Sequence, residues 1–208
     1  MNALTQILNH KIISIVRGAK PEDTVKIAKA LRDGGIRLIE ITLNSPNALQ
    51  SIERVSQAVG NEMVVGAGTV LDPETARAAI LAGAKFILSP TVNIETIKMT
   101  KRYGAVSIPG AFTPTEILTA YEYGADIIKV FPGSMGSSYL QDIHGPLSHI
   151  PLLPTGGITL ANIGEFQKAG AIGFGIGSSL VDTKQEVNEE YLKALTQKAE
   201  SFVSAIRS

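Results

Sequence analysis

Thr113-Pro114-Thr115-Glu116-Ile117-Leu118-Thr119-Ala120-Tyr121-Glu122-Tyr123-Gly124-Ala125-Asp126-Ile127-Ile128-Lys129-Val130-Phe131-Pro132 holds one complete structural unit. Thr113 can cap a helix, Pro114 suits its first position, and Glu116 completes a capping box. Gly124 suits the left-handed residue that closes a helix. The run 126–131 is short, rich in β-branched residues and stopped by Pro132, the pattern of a buried strand. Glycines before apolar runs recur at Gly35, Gly60, Gly83, Gly104, Gly124, Gly145 and Gly170, at intervals of 20 to 25 residues. One helix, one strand and two short loops consume that interval, so the chain reads as a βα repeat.

Strands are expected at 12–17, 38–43, 63–69, 86–90, 106–109, 126–131, 151–155 and 172–177. Helical patterns lie between them, with Thr24, Ile27, Ala28 and Leu31 on one apolar face and Leu160, Ile163 and Phe166 on another. Asp72-Pro73 marks a further helix start, and the last helix is expected near 189–206. Eight βα units predict an α/β chain, a (β/α)8 TIM barrel forming a single domain over residues 1–208. At this length some helices must be short. The alternative is an open doubly wound sheet, which normally carries a glycine-rich fingerprint after its first strand; Arg17-Gly18-Ala19-Lys20 is no such loop.

The 208 residues include 19 basic and 19 acidic side chains, so no net field draws the chain to nucleic acid or an anionic membrane. With no cysteine, disulfides and thiolate metal sites are excluded, which fits a reducing compartment. Residues 1–6 lack the basic and apolar regions of a signal peptide, and the charge-free stretch 145–164 is broken by Pro146, Pro151 and Pro154. A soluble cytoplasmic protein is expected, with neither nucleic acid nor membrane as partner.

Two charged residues interrupt apolar strands. Lys129 lies inside 126–131 and Glu40 inside Leu38-Ile39-Glu40-Ile41-Thr42-Leu43. A buried ammonium costs several kcal/mol unless it is paired or loses its proton, and the neutral amine is a nucleophile. Strand parity puts Leu38, Glu40 and Thr42 on one face, and Ile127, Lys129 and Phe131 on one face. If both faces look into one space, an amine and a carboxyl meet there as covalent and acid-base catalysis requires. A buried salt bridge would show the same sequence pattern.

In a barrel the active site lies at the carboxyl ends of the strands, where Arg17, Glu40, Gly66-Ala67-Gly68-Thr69, Lys129 and Phe131 fall. Arg17 could instead pair at the surface, Thr69 cap the next helix, and Phe131 belong to the core. Thr155-Gly156-Gly157 and Gly175-Ile176-Gly177-Ser178-Ser179 suggest a phosphate site after the seventh and eighth strands, helped by a short helix starting near Ser179. His10, His144 and His149 are the only histidines and have no metal-ligand spacing, so a mechanism without metal or cofactor is expected.

Glu40 in its strand, Gly66-Ala67-Gly68-Thr69-Val70, Ser89-Pro90, Ile108-Pro109-Gly110, Lys129-Val130-Phe131-Pro132 and Pro154-Thr155-Gly156-Gly157-Ile158 together resemble the 2-keto-3-deoxy-6-phosphogluconate (KDPG) and 4-hydroxy-2-oxoglutarate (KHG) aldolase family. The resemblance implies a trimeric (β/α)8 class I aldolase acting on a phosphorylated keto-deoxy sugar acid and releasing pyruvate. It makes Lys129 the Schiff-base lysine and Glu40 the general acid and base. It gives Arg17 and Thr69 the pyruvate carboxylate, and sets Pro90, Phe131, Thr155, Gly156, Gly157, Gly177 and Ser178 around the substrate. Many relatives carry an arginine where this chain has Asn44, which leaves the carboxylate to Arg17. Asn44-Ser45-Pro46 is similar to the 2-keto-3-deoxy-6-phosphogalactonate branch, whereas Pro154-Thr155-Gly156-Gly157 is similar to the phosphogluconate branch. The leading expectation is the gluconate substrate, possession of KHG activity being a further one. The galactonate epimer is the alternative, and a phosphate-binding isomerase or a non-catalytic sugar-phosphate-binding barrel are the rivals of other classes.

Overall fold

In the computed structural model, which describes residues 2–207, helices and parallel strands alternate. The strands are β1 (Ile12–Val16), β2 (Leu38–Thr42), β3 (Val64–Gly68), β4 (Phe86–Leu88), β5 (Val106–Ile108), β6 (Gly110–Ala111), β7 (Ile128–Val130), β8 (Leu152–Pro154) and β9 (Phe174–Ile176). The helices are α1 (Ala3–His10), α2 (Pro21–Asp33), α3 (Ala48–Val59), α4 (Pro73–Leu81), α5 (Ile94–Arg102), α6 (Pro114–Glu122), α7 (Ser137–His144), α8 (Ile163–Lys168) and α9 (Glu189–Ala205).

Strands β5-β4-β3-β2-β1-β9 form a parallel half-barrel, and β6-β7-β8 form a second parallel sheet. The expected fifth strand is interrupted at Pro109, which has no N–H for the ladder. Its carbonyl still accepts from Lys129 N at 2.9 Å, and Ser107 O accepts from Asp126 N at 3.0 Å, so the two sheets are joined along this edge. On the other side Ile172 N donates to Leu152 O at 3.0 Å, and Thr155 bridges Gly175 in parallel. The architecture is α/β and consistent with a TIM-like barrel.

The apolar core splits by strand parity. Ile13, Leu38, Val64, Phe86, Leu88, Val106, Ile108, Ile127 and Leu153 pack together inside the strands, and Ile7 of α1 joins them. The residues that alternate with them along the strands, such as Ile12, Ile39, Ile41, Val65, Ile87, Ile128, Val130 and Leu152, pack beneath the helices. Glycine makes the inner layer possible. A Cβ on Gly66 would lie 2.1 Å from the Phe86 ring, and one on Gly68 would lie 2.0 Å from Glu40 Oε1.

Several expectations need correction. The strands end earlier than the apolar runs, so Arg17, Leu43, Thr69, Pro90, Phe131, Thr155 and Gly177 sit one or two residues beyond them. Helix α1 was not expected; Asn2 caps it by accepting from Thr5 N at 2.8 Å, and its Ile7 is fully buried. Helix α8 begins three residues later than its apolar pattern, after a turn in which Thr159 N donates to Asn162 Oδ1 at 2.8 Å. No helix starts near Ser179: Gly177 O instead accepts from Leu180 N and Val181 N in a turn. Among the punctuating glycines, Gly60 (φ −62°) and Gly145 (φ −50°) keep helix-like or allowed right-handed backbone, whereas Gly35, Gly83, Gly104, Gly124 and Gly170 have positive φ. The caps at Asp72 and the Thr113–Glu116 capping box form as expected. Among the described residues no helix is long and apolar enough to cross a membrane.

Candidate active site

Parity on β2 and β7 turns Glu40 and Lys129 inward, above the apolar inner layer. Both are buried, with 1% and 7% of their surface exposed. Burial pushes the Lys129 ammonium below its ordinary range, helped by the Arg17 charge and opposed by Glu40. Burial likewise pushes Glu40 up, against the pull of Lys129 and Arg17. For each group desolvation is the larger influence, so both are biased toward their neutral forms. Glu40 Oε2 has no hydrogen-bond partner, and none of the ion pairs among the described residues joins Glu40 to Lys129. The buried salt bridge that the sequence left open does not form at contact distance. The Lys129 ammonium stands 5.0 Å from the centre of the Phe131 ring.

A cavity of about 780 Å³ opens at the carboxyl ends of the strands. Arg17, Thr69, Pro90, Lys129, Phe131, Thr155, Gly156, Gly157, Gly177 and Ser178 all line it, so residues far apart in sequence meet in one place. Glu40 is not on the cavity wall; it lies deeper, against Gly68. Thr155 Oγ1 is buried without a partner, packed so tightly on Gly175 that a Cβ there would come within 2.3 Å of it. Gly156 (φ +90°) and Gly157 (φ +76°) turn the chain through left-handed backbone that a larger residue would strain. Depressions of about 810 and 790 Å³ on the helical surface have no buried charged side chain in their walls.

Arg17 is tied to both neighbouring loops. Its Nη1 donates to Asn44 Oδ1 at 3.0 Å, and its carbonyl accepts from Thr183 Oγ1 at 2.5 Å. Gly18 N donates to Ser45 Oγ at 2.7 Å, and that hydroxyl lies 2.8 Å from Thr42 Oγ1. Sequence reasoning missed the wall segment Asp182-Thr183-Lys184. The available signal was a polar run directly after the eighth strand's glycine loop, where a barrel places its binding residues. Among the described residues no group of three or more His, Asp or Glu side chains could hold a metal ion.

A buried amine and a buried carboxyl beside one polar cavity, at the carboxyl ends of parallel strands, make this the candidate active site of an α/β protein. The family model for KDPG and KHG aldolase matches residues 4–197, and the chain belongs to that family. It is an aldolase, a carbon–carbon lyase. It is 37% identical to the 2-dehydro-3-deoxy-6-phosphogalactonate aldolase of Escherichia coli (strain K12) over 94% of each chain. A solved structure described as native KDPGal superposes with a TM-score of 0.88, at 37% identity and covering 94% of both chains. The KDPG aldolase of Legionella pneumophila, captured with pyruvate as a covalent carbinolamine intermediate, superposes with a TM-score of 0.85 at 25% identity, covering 96% of this chain and 97% of the other.

Proposed function

We propose that this chain is a class I aldolase that cleaves 2-keto-3-deoxy-6-phosphogalactonate to pyruvate and glyceraldehyde 3-phosphate. The observation that carries the class I chemistry is the buried, depressed Lys129 amine beside the buried Glu40 carboxyl. The galactonate epimer is favoured over the gluconate that the motifs alone put first. That preference draws support from the match along 94% of each chain with a galactonate-type relative and from Asn44 in place of a second arginine. Thr155, in a Pro154-Thr155-Gly156-Gly157 turn of the gluconate type, supports the KDPG reaction as a second activity.

In this reading the two sheets close into one (β/α)8 barrel, a single domain that assembles as a homotrimer, as the family resemblance implies. Neutral Lys129 adds to the C2 carbonyl. Glu40, in its acid form, gives its proton to the departing hydroxyl, and loss of water leaves an iminium. As carboxylate, Glu40 then accepts the 4-hydroxyl proton while the C3–C4 bond breaks and its electrons flow into the iminium. Glyceraldehyde 3-phosphate leaves, an enamine remains, and protonation at C3 followed by hydrolysis frees pyruvate and the amine. Arg17 and Thr69 hold the carboxylate of the substrate. Pro90 and Phe131 line the path beside the amine, while Thr155, Gly156, Gly157, Gly177 and Ser178 face the sugar and phosphate. No step in this scheme requires a metal ion or an organic cofactor.

The test is a coupled pyruvate-release assay with both epimeric substrates, combined with borohydride reduction in the presence of pyruvate and peptide mapping. Faster turnover of the galactonate and a pyruvyl adduct on Lys129 are expected. Turnover of the gluconate alone would overturn the epimer assignment; an adduct on another lysine, or on none, would overturn the mechanism.

A further inference from the structure

Asn44 lies two residues beyond β2, next to Arg17, which follows β1. Its Oδ1 accepts from Arg17 Nη1 at 3.0 Å, and the Arg17 backbone is anchored independently through Thr183 and through Gly18 and Ser45. The backbone ties fix where the side chain begins; among the described residues, only the Asn44 hydrogen bond reaches its guanidinium. None of the ion pairs among the described residues involves Arg17.

We propose that Asn44 is a positioning residue that holds the Arg17 guanidinium in the orientation that binds the substrate's carboxylate. The inference rests on Arg17 being the carboxylate clamp. A guanidinium is a planar fork with five N–H donors, so fixing one nitrogen restricts the plane of all the others. A neutral acceptor does this without discharging the cation. Aspartate at the same place would form an ion pair with Arg17 and compete with the substrate for it, whereas an amide oxygen orients the fork and leaves its full charge for the ligand.

The experiment measures the pyruvate concentration giving half-maximal borohydride trapping in the wild type, Asn44→Ala, Asn44→Leu, Arg17→Lys and the double variant Arg17→Lys/Asn44→Ala. Circular dichroism checks that each is folded, and Asn44→Leu keeps the bulk of the side chain while removing the acceptor. Arg17 and Asn44 are both exposed, so loss of this hydrogen bond to a charged group predicts that both Asn44 variants raise half-saturation about three- to tenfold, with the trapping rate at saturating pyruvate within about twofold of wild type. In the Arg17→Lys background, where no fork needs orienting, removing Asn44 should change half-saturation by less than about twofold. An equal loss in both backgrounds overturns the inference, because Asn44 would then act on its own. So does normal half-saturation in both single Asn44 variants while Arg17→Lys is impaired, an outcome that keeps the clamp. Normal half-saturation in Arg17→Lys removes the clamp itself, and the inference falls with it.

Discussion

Gly68→Ala tests whether the Glu40 carboxyl works from the place where the fold holds it. The new Cβ would lie 2.0 Å from Glu40 Oε1, 2.7 Å from its Cδ and 3.1 Å from Leu88 Cβ. Reaching an ordinary contact of 3.4 Å requires the carboxyl oxygen to retreat by 1.4 Å. Glu40 is 1% exposed, so it has no open solvent to swing into. Overpacking of this kind costs about 1–3 kcal/mol, and the entropy lost by the unfolded chain on gaining alanine returns about 0.4–1 kcal/mol. A net destabilisation of roughly 0–2.6 kcal/mol follows, small enough for a domain of ordinary stability to remain folded. The rate should suffer far more, because a displacement of about 1 Å can cost on the order of 10²-fold and a general acid-base group contributes about 10²- to 10⁴-fold. Steady-state pyruvate release, read beside a thermal melt, should therefore show kcat down at least about 10²-fold in a folded protein. The double variant Gly68→Ala/Glu40→Asp, with a shorter acid, should recover stability without recovering rate. Turnover within about twofold of wild type in folded Gly68→Ala would refute the assignment of proton transfer to Glu40 in this position.

Three further outcomes are expected. Glu40→Gln should stay folded and still trap some pyruvate on Lys129, while kcat falls by about 10²- to 10⁴-fold; unchanged kcat in the folded variant would remove Glu40 from the chemistry. The pH at which Lys129 becomes half-reactive toward borohydride trapping should lie below the ordinary lysine value of 10.5, since burial and Arg17 both disfavour the ammonium. Arg17→Met should raise that midpoint and Glu40→Gln should lower it; a midpoint at or above the ordinary value in the wild type would contradict the depressed amine. Thr113→Ala removes the cap that accepts from Glu116 N and should cost about 1 kcal/mol in chemical denaturation, with kcat untouched.

The repeat was legible because helix-closing glycines and capping prolines obey local rules. The Thr113–Glu116 box shows this, since its two residues specify each other at close range. Which residues share a face with Lys129 and with Glu40 was legible from parity, because strand alternation holds wherever the strand forms; that both faces turn inward needed the assembled sheets. Strand ends were not: Phe131 and Thr155 continue the apolar or β-branched pattern after the ladder has stopped, and the ladder depends on partners distant in the chain. The break at Pro109 has the same origin, with a missing N–H that matters only once a neighbour is present to receive it. Helix α1 was missed because its eight residues carry their apolar face toward the inner layer, a target that exists only after the strands assemble. The Asn44–Arg17 bond spans 27 residues, so its partners became visible only when β1 and β2 lay side by side.

The junction between β8 and β9 has a consequence for motion. Where β1 and β2 pair through four consecutive registers, this junction has the Ile172–Leu152 hydrogen bond and one bridge at Thr155 and Gly175. Amide exchange that proceeds by local opening should therefore begin along this line, ahead of the β1–β2 ladder. The same line runs between the two glycine loops that face the cavity. An anion gripping backbone N–H groups on both loops would act as a clasp across the weakest seam of the sheet, and occupancy of the site would be readable as slowed exchange at residues well removed from the reacting carbon.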